Sequence, residues 1–181
     1  MNILVVGNGP SAAEDNYGKL VDNFDGLVAR FNMCVLCEEV GFRTDIWVTW
    51  GELGKWRDIN QSQTLVTVPP GRQEKHEDTI QFMSKYGDRD DVSQVTNKTW
   101  KGVRRYIGHP SAGAIAVAHF LRSPDIDDVK IFGFDHFREK KHHYWSHDEF
   151  ERHGHDPYRE SQWFKNLKRQ KRISEWTPKN E

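Results

Sequence analysis

Histidines concentrate near the carboxyl end of the sequence, in a stretch of twenty residues that follows Gly133-Phe134-Asp135. Six of the nine histidines lie there, namely His136, His142, His143, His147, His153 and His155. Imidazole is the side chain best suited to exchange a proton near neutral pH. One histidine could therefore deprotonate a sugar hydroxyl while a second hydrogen-bonds a leaving phosphate, which is the chemistry that transfer of an activated sugar needs.

The same histidines allow two other interpretations. His143 and His147 stand four residues apart, with Asp135 and Asp148 nearby, so a metal site is possible. The sequence contains no H-E-x-x-H or comparably tight ligand signature, which argues against a metal and predicts none. Surface histidines without a role remain the third interpretation.

A glycine-rich turn near the amino terminus is typical of phosphate or nucleotide binding. Gly7, Gly9 and Ala12 fit G-x-G-x-x-A between an apolar run and a helical segment, and the turn also contains Asn8 and Ser11. Such a turn offers backbone N–H groups and a helix dipole to an anion.

The second predicted strand decides which nucleotide suits this turn. In a dinucleotide-binding site, an acidic residue about 20 residues after the glycine turn binds the ribose. This sequence has Arg30-Phe31-Asn32 at that place. NAD is therefore disfavoured, while NADP stays open with Arg30 near its 2′-phosphate. Asn8 and Asn32 could bind a base or ribose through their amides, or could only stabilise turns.

A second anion-friendly segment is the small-residue run His109-Pro110-Ser111-Ala112-Gly113-Ala114. Pro and Ser are typical of a helix start, where unpaired N–H groups gather and the lack of bulk lets a carboxylate or phosphate come close. The alternative is an ordinary helix, with Ser111 as its cap and small residues that pack against a sheet.

The elements that must position these segments alternate along the chain. Short apolar runs predict strands at 3–6, 27–31, 46–50, 65–68 and 129–134, and helical patterns occur from Ala12 to Leu20, around Trp56 and at 76–86, 111–121 and 156–173. The segments 71–78 and 87–92 are predicted surface loops. This alternation predicts an α/β fold with an open, mostly parallel sheet flanked by helices, as one nucleotide-binding domain over 1–176 followed by a short tail at 177–181.

Composition excludes several classes of partner. The 26 Lys and Arg balance 27 Asp and Glu, so no overall positive field favours nucleic acid. No apolar run reaches the roughly 20 residues that cross a bilayer, so we expect no integral membrane segment and a cytoplasmic location. Cys34 and Cys37 form a lone C-x-x-C near the expected end of a strand, which we interpret as two reduced structural thiols.

Together these segments resemble the four sialylmotifs of animal-type sialyltransferases, in the family's order. The large motif is similar to Val5-Val6-Gly7-Asn8-Gly9-Pro10-Ser11 with Tyr17-Gly18, Phe24-Asp25 and Arg30-Phe31-Asn32, a form also similar to bacterial sialyltransferases. The small motif resembles His109-Pro110-Ser111-Ala112-Gly113 and Val129-Lys130-Ile131-Phe132-Gly133-Phe134. The third resembles His143-Tyr144-Trp145, and the very small motif resembles His155-Asp156-Pro157-Tyr158-Arg159-Glu160.

The resemblance implies the sialyltransferase variant of the A-type glycosyltransferase fold and an inverting transfer without a metal or other cofactor. The donor would be a CMP-linked sialic acid or related acidic keto-sugar, and the acceptor a glycan or glycolipid. His155 would be the general base, and His143 would steady the departing phosphate. The donor-binding residues would be Asn8, Gly9, Ser11, Asn32, Ser111, Ala112, Gly113, Gly133 and Tyr144. Glu160 could cap the closing helix or orient the base.

Departures from the family pattern keep two alternatives open. The animal enzymes have a membrane anchor, a disulfide between the two main motifs and a longer middle region, and their third motif usually ends in an acid where Ser146 stands here. A CMP- or sugar-binding module without turnover is therefore one alternative. An NADP- or flavin-dependent oxidoreductase built on the Gly7 turn is the other. Neither the acceptor nor the oligomeric state follows from the sequence.

Overall fold

A computed structural model describes residues 1–14, 16–51, 61–72, 77–135, 143–144 and 156–178. Within these residues the chain forms one seven-stranded sheet in the order β5-β4-β3-β2-β1-β6-β7. The strands are β1 Asn2–Val6, β2 Leu27–Phe31, β3 Ile46–Thr49, β4 Gln63–Val66, β5 Val92–Gln94, β6 Asp128–Phe132 and β7 Ser174–Glu175. All neighbouring strands are parallel, which confirms the predicted α/β class.

Helices cover both faces of the sheet. They are α1 Ser11–Glu14, α2 Gly18–Asp22, α3 Glu77–Tyr86, α4 Asn97–Ile107, α5 Ala112–Phe120 and α6 Pro157–Arg169. Because successive strand residues point to opposite faces, Ile3 and Val5 pack in one cluster with residues of α4, α5 and α6. Leu4 and Val6 pack on the other face with Val21 of α2. The strands are therefore apolar on both sides, as buried parallel strands require.

The strand order reverses beside β1, which lies between β2 and β6. The chain adds strands outward from β1 to β5 and then returns to place β6 on the other side of β1. Val6 of β1 is in register with Arg30 of β2 and with Phe132 of β6. The turns that follow these strands therefore meet at one edge of the sheet, which is where ligands bind in open α/β sheets.

Several predicted boundaries differ from the structure. The last predicted strand ends at Phe132, not at residue 134, because Gly133 turns the chain with a φ of +70°. The predicted closing helix over 156–173 ends at Arg169, and Lys171 adopts a φ of +56°. The chain then adds β7 beside β6, a strand too short to leave a periodic pattern.

The structure also contains a helix that the sequence analysis missed. Helix α4 begins after Thr96, whose hydroxyl accepts a hydrogen bond from Thr99 N (3.1 Å), and buries Thr99, Val103 and Ile107 along one stripe. The cap was the available signal. The predicted helix around Trp56 lies outside the described residues.

The amino-terminal helical segment and the two predicted loops also need correction. The segment from Ala12 to Leu20 is two short helices, α1 and α2. The predicted loop at 71–78 includes the first two residues of α3, which begins at Glu77, and the loop at 87–92 ends where β5 begins.

The C-x-x-C pair follows a strand without belonging to it. Strand β2 ends at Phe31, and Cys37 forms an isolated antiparallel bridge with Gly41. Cys34 is buried, Cys37 is partly exposed, and no disulfide joins them. In the described part of the chain, no helix has the length and apolar character needed to span a membrane.

Candidate functional site

The glycine turns after β1 and β6 run side by side at the carboxyl edge of the sheet. Gly7 N donates to Phe132 O (2.7 Å), and Gly9 N donates to Gly133 O (3.0 Å). A Cβ atom placed on Gly7 would lie 2.3 Å from Gly133 O, and one on Gly9 would lie 2.2 Å from Asp135 Oδ2. The glycines are therefore required for backbone packing, a role that the phosphate-turn interpretation did not include.

Asp135 occupies the start of the helix that follows the first turn. Its Oδ2 accepts a hydrogen bond from Ser11 N (2.9 Å), the first residue of α1. A carboxylate is favoured at a helix start by the exposed N–H groups there. The backbone N–H of Ser11, a predicted donor-binding residue, thus already has a protein partner. Asp135 was missed in this role, although its place three residues after the end of β6 was a usable signal.

The two predicted amide residues connect the ends of three neighbouring strands. Asn8 Nδ2 donates to Phe31 O (3.1 Å) at the end of β2. Asn32 has a φ of +45°, and its N–H donates to Val48 O (2.8 Å) of β3. Both residues lie at the carboxyl edge of the sheet, and each donates a hydrogen bond to a backbone carbonyl there. Their turn-stabilising role is therefore present whether or not either residue also binds a ligand.

The third predicted motif is held against the first turn by Tyr144. Tyr144 N donates to Asn8 O (3.1 Å), and the Tyr144 hydroxyl donates to Val35 O in the loop after β2. Burial is the main cause that raises the pKa of the Tyr144 phenol well above its ordinary value. These two bonds place the neighbouring His143 beside the Asn8 turn.

The raised pKa of Tyr144 predicts a loss of stability at alkaline pH. The unfolded chain loses this proton near the ordinary tyrosine value of about 10, and the folded chain holds it longer, so the unfolded state binds fewer protons above that pH. Stability is full below about pH 10 and falls above it, by at most about 1.4 kcal/mol per pH unit for one proton and less because solvent screens the half-buried ring.

Urea unfolding between pH 8 and 11 measures this effect. Tyr144→Phe should lose about 1 kcal/mol at pH 8 with its hydrogen bond, and its stability should fall less steeply above pH 10 than that of the wild type. Tyr106→Phe, at a phenol that is 68% exposed on α4, is the matched control. Equal slopes in Tyr144→Phe and the wild type would contradict the assignment.

The second small-residue segment begins α5, as predicted, and is joined there to α6. The Ser111 hydroxyl accepts from Ala114 N (3.2 Å) and donates to Glu160 Oε1 (2.8 Å), while Ser111 N donates to Glu160 Oε2 (2.9 Å). Glu160 is 3% exposed. Glu160 therefore binds the start of α5; the cap of its own helix α6 is Asp156, whose carboxylate accepts from Arg159 N (3.0 Å).

The start of α5 also contacts the turn after β6. A Cβ atom on Gly113 would lie 2.8 Å from the ring of Phe134, directly after Gly133. The N–H groups in the first turn of a helix have no acceptor within that helix. The N–H groups of Ala112 and Gly113 are therefore not used by hydrogen bonds of α5 itself. The small residues thus allow close packing between the start of α5 and this turn.

The structure brings most of the predicted site residues to one edge of the sheet. Those described there are Asn8, Gly9, Ser11, Asn32, Ser111, Ala112, Gly113, Gly133, His143 and Tyr144. His155 lies outside the described residues, directly before Asp156. Over the residues that the structure describes, no group of three His, Cys, Asp or Glu side chains is placed to hold a metal ion.

Comparison with known proteins gives matches only at the level of structure. No protein-family model matches the sequence, and no curated protein sequence matches it. A mammalian sialyltransferase in complex with Gal-beta-1-3GalNAc-ortho-nitrophenol has 21% identity and a TM-score of 0.71, with 98% of this chain and 70% of that chain covered. A second structure described as a mammalian sialyltransferase has 20% identity and a TM-score of 0.72, over 98% and 69% of the two chains.

A bacterial sialyltransferase has a similar structure at lower identity. CstII from Campylobacter jejuni, in complex with the substrate analogue CMP-3FNeuAc, has 13% identity and a TM-score of 0.63, over 97% of this chain and 80% of that one. The chain therefore has the fold of the sialyltransferases, the variant of the α/β nucleotide-binding fold that the sequence motifs predicted.

Proposed function

We propose that the chain is an inverting, metal-independent glycosyltransferase that moves sialic acid, or a related acidic keto-sugar, from a CMP-activated donor to a hydroxyl of an acceptor glycan. The main observation in support is that three motif segments meet at one edge of the sheet, in a chain with the sialyltransferase fold. These segments are the Gly7 turn, the start of the helix at Ser111, and His143-Tyr144. Structures of similar fold are described with a CMP-sugar analogue and with an acceptor disaccharide, which supports the same two substrate classes here.

The donor would lie across the ends of β1, β2 and β6. Asn8 and Asn32 stand beside one another at the ends of β1 and β2, with amide groups suited to a base or ribose. The N–H groups of Ala112 and Gly113 would face the phosphate, and Gly9, Ser11, Gly133 and Tyr144 would shape the pocket around it. This arrangement uses a helix start, the common device for binding phosphate without a metal.

The reaction requires one bond to form as another breaks. The acceptor oxygen attacks the anomeric carbon from the face opposite the phosphate, and the bond between that carbon and the phosphate oxygen breaks, so the configuration inverts. His155 would take the acceptor proton, and His143 would hydrogen-bond the phosphate as its negative charge grows. No step needs a cation, since hydrogen-bond donors stabilise the leaving group.

A CMP- or sugar-binding module without turnover is the second candidate function. Two carboxylates, Asp135 at α1 and Glu160 at α5, already occupy helix starts of the predicted donor site. Both place negative charge near the expected phosphate, which a catalytic site would have to offset. The oxidoreductase alternative is weaker, because Arg30 is 1% exposed and its guanidinium donates to the carbonyls of Arg43 and Val40, away from any 2′-phosphate.

Thermal unfolding with CMP, CDP, UDP, GDP and NADPH tests the donor class first. A nucleotide present at 100 times its dissociation constant stabilises the fold by about 2.7 kcal/mol, or roughly 5 to 10 °C in Tm for a chain of this size. We expect CMP to give the largest shift. A response to NADPH alone would contradict the proposal and favour a dinucleotide site.

Turnover distinguishes the transferase from the binding module. The chain is incubated with CMP-sialic acid and Gal-beta-1-3GalNAc-ortho-nitrophenol, and both the sialylated product and free sialic acid are measured. Product or donor hydrolysis supports the transferase. Selective stabilisation by CMP without either product supports the module.

A further inference from the structure

Helices α4 and α6 form the outer layer on one face of the sheet. Both pack on the face that holds Ile3 and Val5, and they contact each other there. Helix α5, on the same face, is buried over 112–118 and at Phe120, so it contributes little to the molecular surface. The solvent-facing sides of α4 and α6 are therefore neighbouring parts of one surface.

This surface carries basic side chains without acidic ones. Between residues 96 and 122 the sequence has no Asp or Glu, and between 157 and 172 it has only Glu160, which is buried and binds Ser111. The whole chain, by contrast, has a formal net charge of −1. Six exposed basic residues of α4 and α6 define what we call the basic face: Lys98, Lys101, Arg104, Arg105, Lys165 and Arg169.

Helix periodicity explains why these side chains share the solvent side. Lys98, Lys101 and Arg105 follow one another at intervals of three and four residues, so they lie on one side of α4, away from its buried stripe. Lys165 and Arg169 are four residues apart on α6 and share a side in the same way. Among the residues that the structure describes, none forms an ion pair with a member of the basic face.

The stability of the helices does not account for this charge pattern. Cations are favoured in the last turn of a helix and disfavoured in the first. This explains Arg104 and Arg105 but not Lys98, which lies in the first turn of α4, or Lys101. Like charges four residues apart, such as Lys101 and Arg105, also destabilise a helix. An acidic residue on the exposed side would relieve the repulsion, so its absence from the sequence of both helices indicates an anionic partner.

Exposed tyrosine rings beside the basic face indicate which kind of anion it meets. Tyr106 in the last turn of α4 is 68% exposed, and Tyr158 in the first turn of α6 is 73% exposed. These two helix ends are close, because Arg159 Nη1 lies 4.0 Å from a Cβ atom placed on Gly108. Tyrosine is enriched where a membrane meets water, since its ring is apolar and its hydroxyl stays hydrated. Basic residues with exposed aromatic rings are typical of surfaces that lie on anionic lipids.

The half-buried ring of Trp100 is not suited to bind nucleic acid at this surface. Proteins that bind single strands use aromatic rings on which the bases stack. The Trp100 ring is already in contact with two guanidinium groups of the protein, with its centroid 4.6 Å from Arg72 Cζ and 4.8 Å from Arg104 Cζ. A lipid surface, which needs charge and interfacial rings but no stacking platform, fits the face better.

We propose that the basic face, with Tyr106 and Tyr158 at its edge, docks the chain on a bilayer that contains anionic lipids. Each basic residue close to such a surface raises the affinity about fivefold, and salt screens the attraction. The docking does not depend on the proposed function. The candidate site is nearby, since Ser111 follows α4 and binds Glu160 of α6, so docking would bring the site to glycans at the bilayer surface.

Sedimentation of the full chain with lipid vesicles tests the docking directly. Vesicles of phosphatidylcholine alone are compared with vesicles of equal parts phosphatidylcholine and phosphatidylglycerol, at about 0.1 M salt and at higher salt. The variant Lys101→Gln with Arg105→Gln removes two charges from the solvent side of α4. The matched control is Lys19→Gln with Lys85→Gln, which removes two exposed charges from α2 and α3 on the opposite face of the sheet.

We expect the wild type to bind the mixed vesicles and not phosphatidylcholine alone, and we expect added salt to weaken this binding. The Lys101→Gln with Arg105→Gln variant should bind about 25-fold more weakly, because two basic residues are lost. The control variant should bind within about twofold of the wild type, because the attraction falls off within a Debye length of the bilayer. Tyr106→Ser should also weaken binding, because its ring no longer enters the interface. Urea unfolding of each variant should give the wild-type midpoint, since all five positions are exposed.

Three results would overturn the docking. The first is a wild type that does not bind the mixed vesicles at low salt, and the second is equal binding by the α4 double variant and the wild type. The third is binding to a single-stranded oligonucleotide that is tighter than binding to the vesicles and is lost in the same variant, which would assign the face to nucleic acid. Vesicle binding by a chain that neither transfers nor hydrolyses the donor would support the docking and count against the proposed function alone.

Discussion

His155→Ala should lose transfer activity by about 100- to 10,000-fold in kcat while the protein remains folded and binds CMP, because a positioned general base contributes a factor of that size. The acceptor hydroxyl keeps its proton until late in the reaction, and without a base the proton must pass to water. The donor phosphate is bound by other residues in the proposal, so CMP should still raise the Tm of the variant. The measurements are initial rates with the disaccharide acceptor and thermal unfolding with CMP.

His119→Gln is the matched control for this prediction. His119 lies in the last turn of α5, the length of the helix away from Ser111, and burial lowers the pKa of its imidazole. This variant replaces a histidine for which we propose no contact with substrate. We expect its transfer rate to lie within about threefold of the wild-type rate, because substitutions away from a site usually have small effects. Full activity in His155→Ala would remove the proposed base from the mechanism.

The sequence predicted those parts of the site that depend on local pattern. An apolar run followed by Gly7, Asn8 and Gly9 can be recognised as a buried strand entering a turn, and Ser111 among small residues as a helix start. Both are present at the expected places. The parallel sheet then follows, because alternating strands and helices have few other ways to bury their apolar faces.

The contacts that complete the site could not be predicted in the same way. Asp135 binds Ser11 across 124 residues of sequence, and Glu160 binds Ser111 across 49. No periodicity links such partners, since they meet only after β1 and β6 pair and both α5 and α6 pack against α4. Helix α4 was missed because charged and polar residues dominate it and its buried stripe is narrow.

Gly133→Ala should be among the most destabilising single substitutions in the chain, and the structure gives two separate reasons. Gly133 has a φ of +70°, where an alanine costs roughly 1 to 2 kcal/mol. The added Cβ would lie 2.7 Å from Ala12 Cβ and 3.0 Å from Gly7 O, and crowding of this kind costs roughly 1 to 3 kcal/mol more. We expect a total loss of about 2 to 5 kcal/mol by urea unfolding, together with weaker stabilisation by CMP, because the displaced Gly7 turn would face the donor in the proposed function.

Gly71→Ala isolates the backbone contribution to this loss. Gly71 has a φ of +75°, close to that of Gly133, yet among the described residues no atom lies within 4 Å of a Cβ atom placed on it. Its cost should therefore be the conformational part alone, roughly 1 to 2 kcal/mol. The steric part of the loss can be relieved. Ala12→Gly in the Gly133→Ala background removes the 2.7 Å contact between the two Cβ atoms and should recover some of the lost stability. If Gly133→Ala costs no more than Gly71→Ala, the turns after β1 and β6 are not packed as tightly as the structure places them, and the proposed donor site that depends on their contact loses its main support.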